Sequence, residues 1–315
     1  MLSHDELLDR YIDACKARGL TLQTLTGRYY HVRHFLRWVG GRDLRALTPE
    51  EMSAYAVEVA SIRYTRSKAE DAPRKPLAPH TQAVRLWAVI DLLEWLVEHR
   101  LLLANPASGL RPKMPPRQLP KRIPTESEMA RLLSVPNVRT SIGRRDRAIL
   151  ELMYSTGLRL GEVAALDVQD LDLSAGTLHV RRSKNGRGRV VPLGETAVAA
   201  LLDYLQHSRP GFVQSPGCVA LFLSGDQSCF AGNRLTTYGI RYIMQRIARK
   251  AGLDRRINPH QVRHACATHM LRAGCDLRHI QQLLGHTRID TTEIYTHVDV
   301  SDLADVLARS HPRCK

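Results

Sequence analysis

The sequence lacks any apolar run that approaches the roughly 20 residues a helix needs to cross a bilayer. Its first residues, MLSHDELLDRYIDACKARG, mix acidic, basic and apolar side chains, and no apolar core is followed by small residues as in a secretory signal. Tandem repeats and low-complexity tracts are also missing. We therefore expect a globular, cytoplasmic protein that has no membrane partner.

Cysteine pairs of the CxxC type are absent as well. Six cysteines are scattered along the chain: Cys15, Cys218, Cys229, Cys266, Cys275 and Cys314. This spacing argues against a disulfide framework and against a thiolate zinc site. We expect these thiols to be reduced and structural.

Acidic residues are too few to balance the basic ones. The 315 residues include 46 Lys and Arg against 31 Asp and Glu, which gives a net charge of +15 and a pI near 9.9. The excess holds in both parts of the chain, with 20 basic against 13 acidic residues in 1–123 and 26 against 18 in 124–315. Such a surface attracts polyanions, of which nucleic acid is the commonest, although a merely solvated basic surface is the alternative.

The first hundred residues carry helical patterns. One helix follows Ser3 and stops at Gly19, a second covers about 22–39, and a third opens at Thr48 with a capping box and a proline. Residues 67–79 are charged and proline-rich, which predicts a loop. Residues 81–100 predict a long amphipathic helix with these residues on one face: Val84, Trp87, Ala88, Leu92, Trp95 and Leu96. The sequence thus predicts an all-helical N-terminal domain over residues 1–108.

A basic, proline-rich linker is predicted at residues 109–123, because proline at this density cannot continue a helix. It either lies against DNA or is simply solvated. Residues 124–315 predict a mixed α+β domain that is mostly helical. Two β runs, 177–182 and 189–193, flank the turn SKNGRG and predict a small antiparallel hairpin. Helices are predicted at 195–207, 238–251, 259–273, 278–284 and 291–296.

Two motifs in this second domain carry basic residues suited to phosphate. In TGLRLGE, glycine ends one helix and the next begins near Arg159, with Glu162 placed three residues later to hold the guanidinium. Most arginine–glutamate pairs at this spacing are surface ion pairs. Lys184 lies in the glycine-containing hairpin turn, where lysine is usually only solvated.

The stretch NPHQVRH predicts a helix start capped by Asn258, with His260 and Arg263 one turn apart where an anion is favoured. Two other interpretations compete: a metal pair formed by His260 and His264, and core packing of His264 and His269. A zinc protease motif needs glutamate where Gln261 stands, and a third ligand is lacking. We therefore predict no metal and no other cofactor.

A fourth stretch combines LLGH, which ends at His286, with DTTEIYTH, which contains Tyr295. Asp290 and Glu293 have capping-box spacing, so Tyr295 is predicted on a short helix. A tyrosine in such a place is ordinarily half-buried packing. Its significance comes from its combination with the other three motifs.

Together the four motifs resemble those of the tyrosine recombinases, the phage integrase-like family, and most of all its bacterial Xer-type branch. The resemblance spans essentially the whole chain and implies a helical core-binding (SAM-like) domain of four to five helices followed by a catalytic domain. It aligns six residues with the family's catalytic positions and Glu162 with their acidic support: Arg159, Lys184, His260, Arg263, His286 and Tyr295. The alignment departs from the family at the hairpin, where Ser183 and Asn185 replace glycines around Lys184.

The resemblance implies that Tyr295 attacks a DNA phosphodiester and forms a 3′-phosphotyrosyl bond. Arg159 and Arg263 would then present paired N–H donors to the non-bridging oxygens, and His286 would add another donor. His260 would act as general base and Lys184 as general acid. The bond energy is retained in the linkage, so that resealing needs neither ATP nor a metal.

The implied partner is double-stranded DNA with paired inverted half-sites, on which the protein forms a tetramer alone or with a second recombinase. The tail after Tyr295 contains an apolar stripe of Leu303, Val306 and Leu307, which resembles a segment that docks on a neighbouring subunit. Two other functions use related features. One is a type IB topoisomerase-like enzyme, which relaxes DNA as a monomer, and the other is a DNA-binding regulator that does not cut.

Overall fold

The computed structural model describes residues 3–65, 74–115, 123–181, 188–225, 232–253, 257–285 and 311–312. The chain divides into two compact units, Met1–Gln118 and Leu119–Lys315. Each unit has its own apolar core. Among the described residues, no helix has both the length and the apolarity to span a bilayer.

The N-terminal unit is a helical bundle. Its elements, in chain order, are α1 (His4–Ala17), α2 (Leu22–Val39), a 3₁₀ turn (Leu44–Ala46), α3 (Pro49–Ser61), β1 (Arg63–Tyr64), β2 (Lys75–Pro76) and α4 (Pro79–Glu98). Capping boxes start α1 at Ser3, where the sequence predicts a helix start, and α3 at Thr48, where it predicts the box itself. Apolar residues of α1 to α4 form one core around the fully buried Tyr11, Phe35 and Tyr55.

Two details of this unit differ from the prediction. The domain is not all helical, because β1 and β2 pair antiparallel with Arg63 opposite Pro76. Strands of two residues leave too little alternation in the sequence to be detected. Trp87 is 41% exposed rather than in the core face, and its indole N–H donates to the Pro112 carbonyl at 3.2 Å.

The C-terminal unit is mostly helical and has a small sheet, which confirms the predicted fold class. Its helices are α5 (Glu126–Ser134), α6 (Ser141–Thr156), α7 (Leu160–Ala165), α8 (Glu195–His207), α9 (Arg209–Phe212), α10 (Thr237–Lys250), α11 (Pro259–Arg272) and α12 (Leu277–Leu284), with a 3₁₀ turn at Val168–Asp170. The strands are β3 (Leu171–Asp172), β4 (Thr177–Val180) and β5 (Arg189–Pro192). Helix α6 is central and packs against α5, α8 and α11.

The predicted hairpin is present. Strands β4 and β5 pair antiparallel with Val180 opposite Arg189, and β3 adds a third strand that the sequence pattern did not predict. The hairpin turn itself, residues 182–187, lies outside the described residues. Its ends are therefore defined by Arg181 on one side and by Gly188 and Arg189 on the other.

The end of the chain reaches the core of the C-terminal unit. His311 is fully buried, its Nε2 lies 2.9 Å from the Tyr154 carbonyl oxygen, and its ring packs edge-on against the Tyr154 ring with centroids 4.6 Å apart. Tyr154 also hydrogen-bonds the buried His269 at 2.8 Å. The predicted apolar tail residues Leu303, Val306 and Leu307 lie outside the described residues.

Candidate active site

Arg159 stands at the junction between two helices. Helix α6 ends at Gly157, which adopts the left-handed conformation at φ 59°, and Arg159 is the extended residue that precedes α7. Its backbone N–H donates to Glu162 Oε2 at 2.8 Å and its Nη1 donates to Glu162 Oε1 at 3.1 Å. Nη2 donates to the Gly285 carbonyl at 3.1 Å. Because the side chain is still 27% exposed, the guanidinium is fixed in direction yet accessible.

Arg263 is the buried member of the site. Asn258 caps α11 in a reciprocal box with Gln261, so Arg263 follows within the first turns of the helix. Its Nη1 donates to the Gly157 carbonyl at 2.6 Å and its Nη2 to the Leu284 carbonyl at 2.7 Å. Burial, together with the positive charge of the nearby Arg159, lowers the pKa of Arg263 to about 10. The guanidinium stays protonated at neutral pH, but its charge is costly there and would be stabilised by an anion.

The carbonyls that hold these arginines come from helix ends. Helix α12 ends at Gly285, which is left-handed at φ 64°, and the Leu283 and Leu284 carbonyls belong to its last turn. Carbonyls in the last turn of a helix find no N–H donor within that helix, and they carry the negative end of the helix dipole. The C-terminal ends of α6 and α12 therefore supply uncharged hydrogen-bond acceptors to the arginines. These acceptors orient the guanidinium groups without neutralising their charge.

Glycine is required at both helix ends. A Cβ on Gly157 would lie 2.4 Å from a methyl carbon of Leu284, and one on Gly285 would lie 3.1 Å from the Arg189 guanidinium. Both positions also have a positive φ, which other residues adopt at a cost. The two glycines thus allow the ends of α6 and α12 to approach the arginines closely.

Arg189, the first residue of the second predicted β run, is a third cation of this site. Nη1 and Nη2 each donate to one oxygen of Glu162, both at 3.0 Å, and Nε points to the Leu283 carbonyl at 3.4 Å. The side chain is 13% exposed. The sequence indicates only that Arg189 begins β5, directly before VVP. Its contact with Glu162 of α7 cannot be predicted from sequence spacing, because the two residues are 27 positions apart.

Glu162 is the shared counterion of Arg159 and Arg189. Its side chain is only 5% exposed. Burial alone would raise its pKa, but the hydrogen bonds and charges of Arg189 and Arg159 outweigh burial and hold the pKa below its usual value. Three guanidinium groups against one carboxylate leave an excess of positive charge, which is the electrostatics of an anion site.

The remaining predicted residues divide into exposed and undescribed ones. His260 is exposed in the first turn of α11, and His264 is exposed one turn later. Partial burial and then the proximity of His260 lower the pKa of His264. Lys184, His286 and Tyr295 lie outside the described residues. The structure therefore brings Arg159, Glu162 and Arg263 together and leaves the roles of all predicted residues as predictions.

The part of the chain that the structure describes holds no group of three or more His, Cys, Asp or Glu side chains placed to bind a metal ion. Four of the cysteines fall within the described ranges, and each is a free thiol: Cys15, Cys218, Cys266 and Cys275. Cys266 lies on α11 and packs behind Gly157, where a Cβ would be 3.5 Å from its sulfur. It is thus a packing residue of the scaffold beneath the arginines.

Several known proteins are similar to this chain. Tyrosine recombinase XerC of Pelotomaculum thermopropionicum is 41% identical over 249 residues, which cover 77% of this chain and 78% of that protein. Tyrosine recombinase XerC of Salmonella typhi is 35% identical over 304 residues, which cover 90% and 96%. Among solved structures, a lambda integrase dimer bound to a COC′ core site matches with a TM-score of 0.65 at 18% identity, covering 93% of this chain and 100% of that one.

A structure of the XerH site-specific recombinase bound to its difH substrate matches similarly, with a TM-score of 0.63 at 19% identity over 91% of this chain and 80% of that one. At these identities the two structures establish the fold only. The sequence pattern of the phage integrase family matches residues 122–302, which contain all four motifs and every predicted catalytic residue. This chain therefore belongs to the phage integrase family and is a tyrosine-type, site-specific DNA recombinase.

Proposed function

We propose that the C-terminal unit cuts and rejoins DNA through a 3′-phosphotyrosyl bond to Tyr295. The observation that carries this proposal is the convergence of Arg159 and Arg263. Helix-end carbonyls bind both arginines, and the carboxylate of Glu162, which Arg159 shares with Arg189, does not balance the positive charge of the three guanidinium groups. A DNA phosphate supplies the missing negative charge. In the transition state the non-bridging oxygens gain negative charge, so preorganised guanidinium donors stabilise that state more than the ground state.

The roles of the other residues follow from the chemistry of the step. The Tyr295 hydroxyl oxygen attacks phosphorus, the bond from phosphorus to the 5′ oxygen breaks, and the departing oxygen takes a proton. Tyrosine has an ordinary pKa of about 10, so His260 accepts its proton, and Lys184 donates one to the leaving oxygen. His286 donates a further hydrogen bond to the phosphate. Attack by another strand's 5′ hydroxyl reverses the sequence and reseals the DNA.

A Tyr295→Phe variant tests the nucleophile directly. It should bind a duplex carrying the target site with unchanged affinity and form no covalent protein–DNA adduct, because only the phenolic oxygen is lost. The assay is denaturing gel electrophoresis of labelled DNA, with wild-type protein as the positive control. A covalent band of normal intensity from this variant would contradict the assignment.

We further propose that both units, 1–108 and 124–315 with the linker 109–123, contact one DNA segment, and that four protomers assemble on paired inverted half-sites. Support comes from the excess of basic residues in both parts of the chain. It also comes from a similarly folded relative, a lambda integrase tetramer bound to a Holliday junction, with a TM-score of 0.64 at 18% identity over 94% of this chain and 81% of that one. A second recombinase in the tetramer and a cytoplasmic location belong to the same proposal.

The tail is proposed to join neighbouring subunits through the stripe of Leu303, Val306 and Leu307. Because His311 is buried against Tyr154 of its own chain, deleting the whole tail would also damage this core. Serine substitutions of the three apolar residues, with His311 retained, are the cleaner test. These variants should cleave a single bound site normally but recombine two sites slowly, and wild-type rates of recombination would contradict docking through this stripe.

A further inference from the structure

Arg189 and Arg159 compete for the same carboxylate. Glu162 receives two hydrogen bonds from the Arg189 guanidinium, one to each oxygen, but only one from the Arg159 guanidinium. A side-by-side contact of this kind is the strongest arginine–carboxylate geometry. Glu162 Oε2 also accepts the Arg159 backbone N–H. Without Arg189, both carboxylate oxygens would still have lone pairs available for a side-by-side contact with the Arg159 guanidinium, which would occupy its donors and neutralise its charge.

Arg189 is itself held in place on three sides. It begins β5, pairs with Glu162 of α7, and packs on the end of α12, where Nε faces the Leu283 carbonyl and the guanidinium fills the space above Gly285. A side chain with this many fixed contacts and 13% exposure has one orientation. It can therefore impose one orientation on Glu162.

We propose that Arg189 is a positioning residue for strand cleavage: it holds both oxygens of Glu162 and thereby leaves Arg159 with donors for the phosphate. This inference rests on the proposed role of Arg159. Arg189 does not act on the DNA in this proposal. Its effect passes through Glu162 to Arg159.

The first test is the cleavage rate at saturating DNA. Arg189→Gln should slow formation of the covalent adduct on the order of 10- to 100-fold, the usual effect of removing a residue that orients a catalytic group. Its DNA affinity should stay within about twofold, because binding is dominated by many other phosphate contacts. Arg189→Lys keeps the positive charge but cannot donate side by side to both Glu162 oxygens, so its cleavage rate should lie between those of the wild type and Arg189→Gln.

A double-mutant cycle with Glu162→Gln separates positioning from general loosening of the fold. If Arg189 acts through Glu162, then Arg189→Gln should cause little further slowing once Glu162 is already changed. The matched control is Arg181→Gln. Arg181, at the other end of the hairpin turn, binds Asp170 at 2.8 Å and also Asp167, which are carboxylates distinct from Glu162. In the double variant, the fold-slowing of cleavage caused by Arg181→Gln should multiply with the fold-slowing caused by Glu162→Gln, as expected for independent effects.

DNA with sulfur at the bridging 5′ position shows whether Arg189 affects the non-bridging oxygens or the protonation of the leaving group. A thiolate leaves without a proton, so this substrate restores variants that have lost the general acid. Arg189→Gln should stay slow on it, because its defect concerns the non-bridging oxygens. Recovery on this DNA would overturn the proposal and place Arg189 in support of Lys184 instead.

The outcomes separate this inference from the proposed function. If wild-type protein forms no covalent adduct that depends on Tyr295, the proposed function is wrong, and the positioning role of Arg189, which rests on it, is wrong as well. If wild type forms the adduct and Arg189→Gln does so equally fast, or if its effect multiplies fully with that of Glu162→Gln, only the role of Arg189 fails. The melting temperature of each variant shows whether it is folded, and titration with DNA gives its active fraction. Cleavage rates are then expressed per active molecule, so that misfolded protein does not lower them.

Discussion

Replacing Glu162 by glutamine should destabilise the C-terminal unit and make it more responsive to anions. The carboxylate is buried and hydrogen-bonded by Arg159 and Arg189, and its loss leaves three clustered guanidinium groups without an anionic partner. Removing one member of a buried ion pair costs about 3 kcal/mol or somewhat more. For a unit of this size, each kcal/mol corresponds to roughly 2–4 °C in melting temperature, so a fall of about 6–12 °C is expected.

The response to anions distinguishes this site from an ordinary buried pair. We expect inorganic sulfate or DNA to bind the folded state at the arginines, and the more highly charged variant should gain more stability from such an anion than wild type does. Glu151→Gln is the matched control, because Glu151 is 1% exposed and pairs with Arg147 at 2.8 Å on α6. That variant should lose stability without any greater gain from sulfate.

The pH dependence gives an independent check. The pKa of Glu162 in the folded state lies below its ordinary value near 4.5, so its contribution to stability is present above about pH 4.5 and is lost as pH falls through the lower, folded value. Thermal unfolding of Glu162→Gln should therefore depend less on pH in this acidic range than that of wild type. An unchanged melting temperature, or a sulfate response equal to that of Glu151→Gln, would refute the charge balance described for the site.

Three further predictions concern the arginines, the hairpin lysine and the end of α12. Arg159→Ala and Arg263→Ala should bind DNA but form the covalent adduct at least ~10²-fold more slowly, the scale for one preorganised donor, and near-native rates for either would show that the site is misplaced. Lys184→Ala should cleave ordinary DNA very slowly yet recover on DNA with a 5′ bridging sulfur, whereas equal impairment on both would make Lys184 a phosphate contact. Gly285→Ala should lower the melting temperature and slow cleavage, because it forces a strained φ and pushes on Arg189, and an unaltered rate would argue against close packing there.

Local sequence signals predicted the framework of both units. Helix starts were predicted at Ser3, Thr48 and Asn258 from signals that act within four residues, and each of the three caps a helix in the structure. The hairpin of β4 and β5 was equally readable, because two β runs flank a glycine-bearing turn. The family and the mainly helical fold with a small sheet are confirmed by the comparisons.

The contacts that shape the site were not readable, because they join residues far apart in the chain. The hydrogen bonds from Arg263 to the Gly157 carbonyl and from Arg189 to the Leu283 carbonyl depend on how α11, α12 and β5 pack together. Carbonyl acceptors also carry no side-chain signature. The sequence therefore identified Arg159 and Glu162, which are three residues apart, but assigned no partner to Arg189.

The balance of charge at this site links stability to substrate binding. Arg263 is paired with neutral carbonyls rather than with a carboxylate, and burial with the neighbouring Arg159 lowers its pKa to about 10. A second carboxylate would relieve this cost in the free protein, but it would also compete with phosphate for the same donors. Helix-end carbonyls orient the guanidinium without neutralising it, so the charge remains available to the anion that arrives. The site is thus less stable when empty than it would be with a second carboxylate, and this is the condition under which a bound phosphate gains most from its arginines.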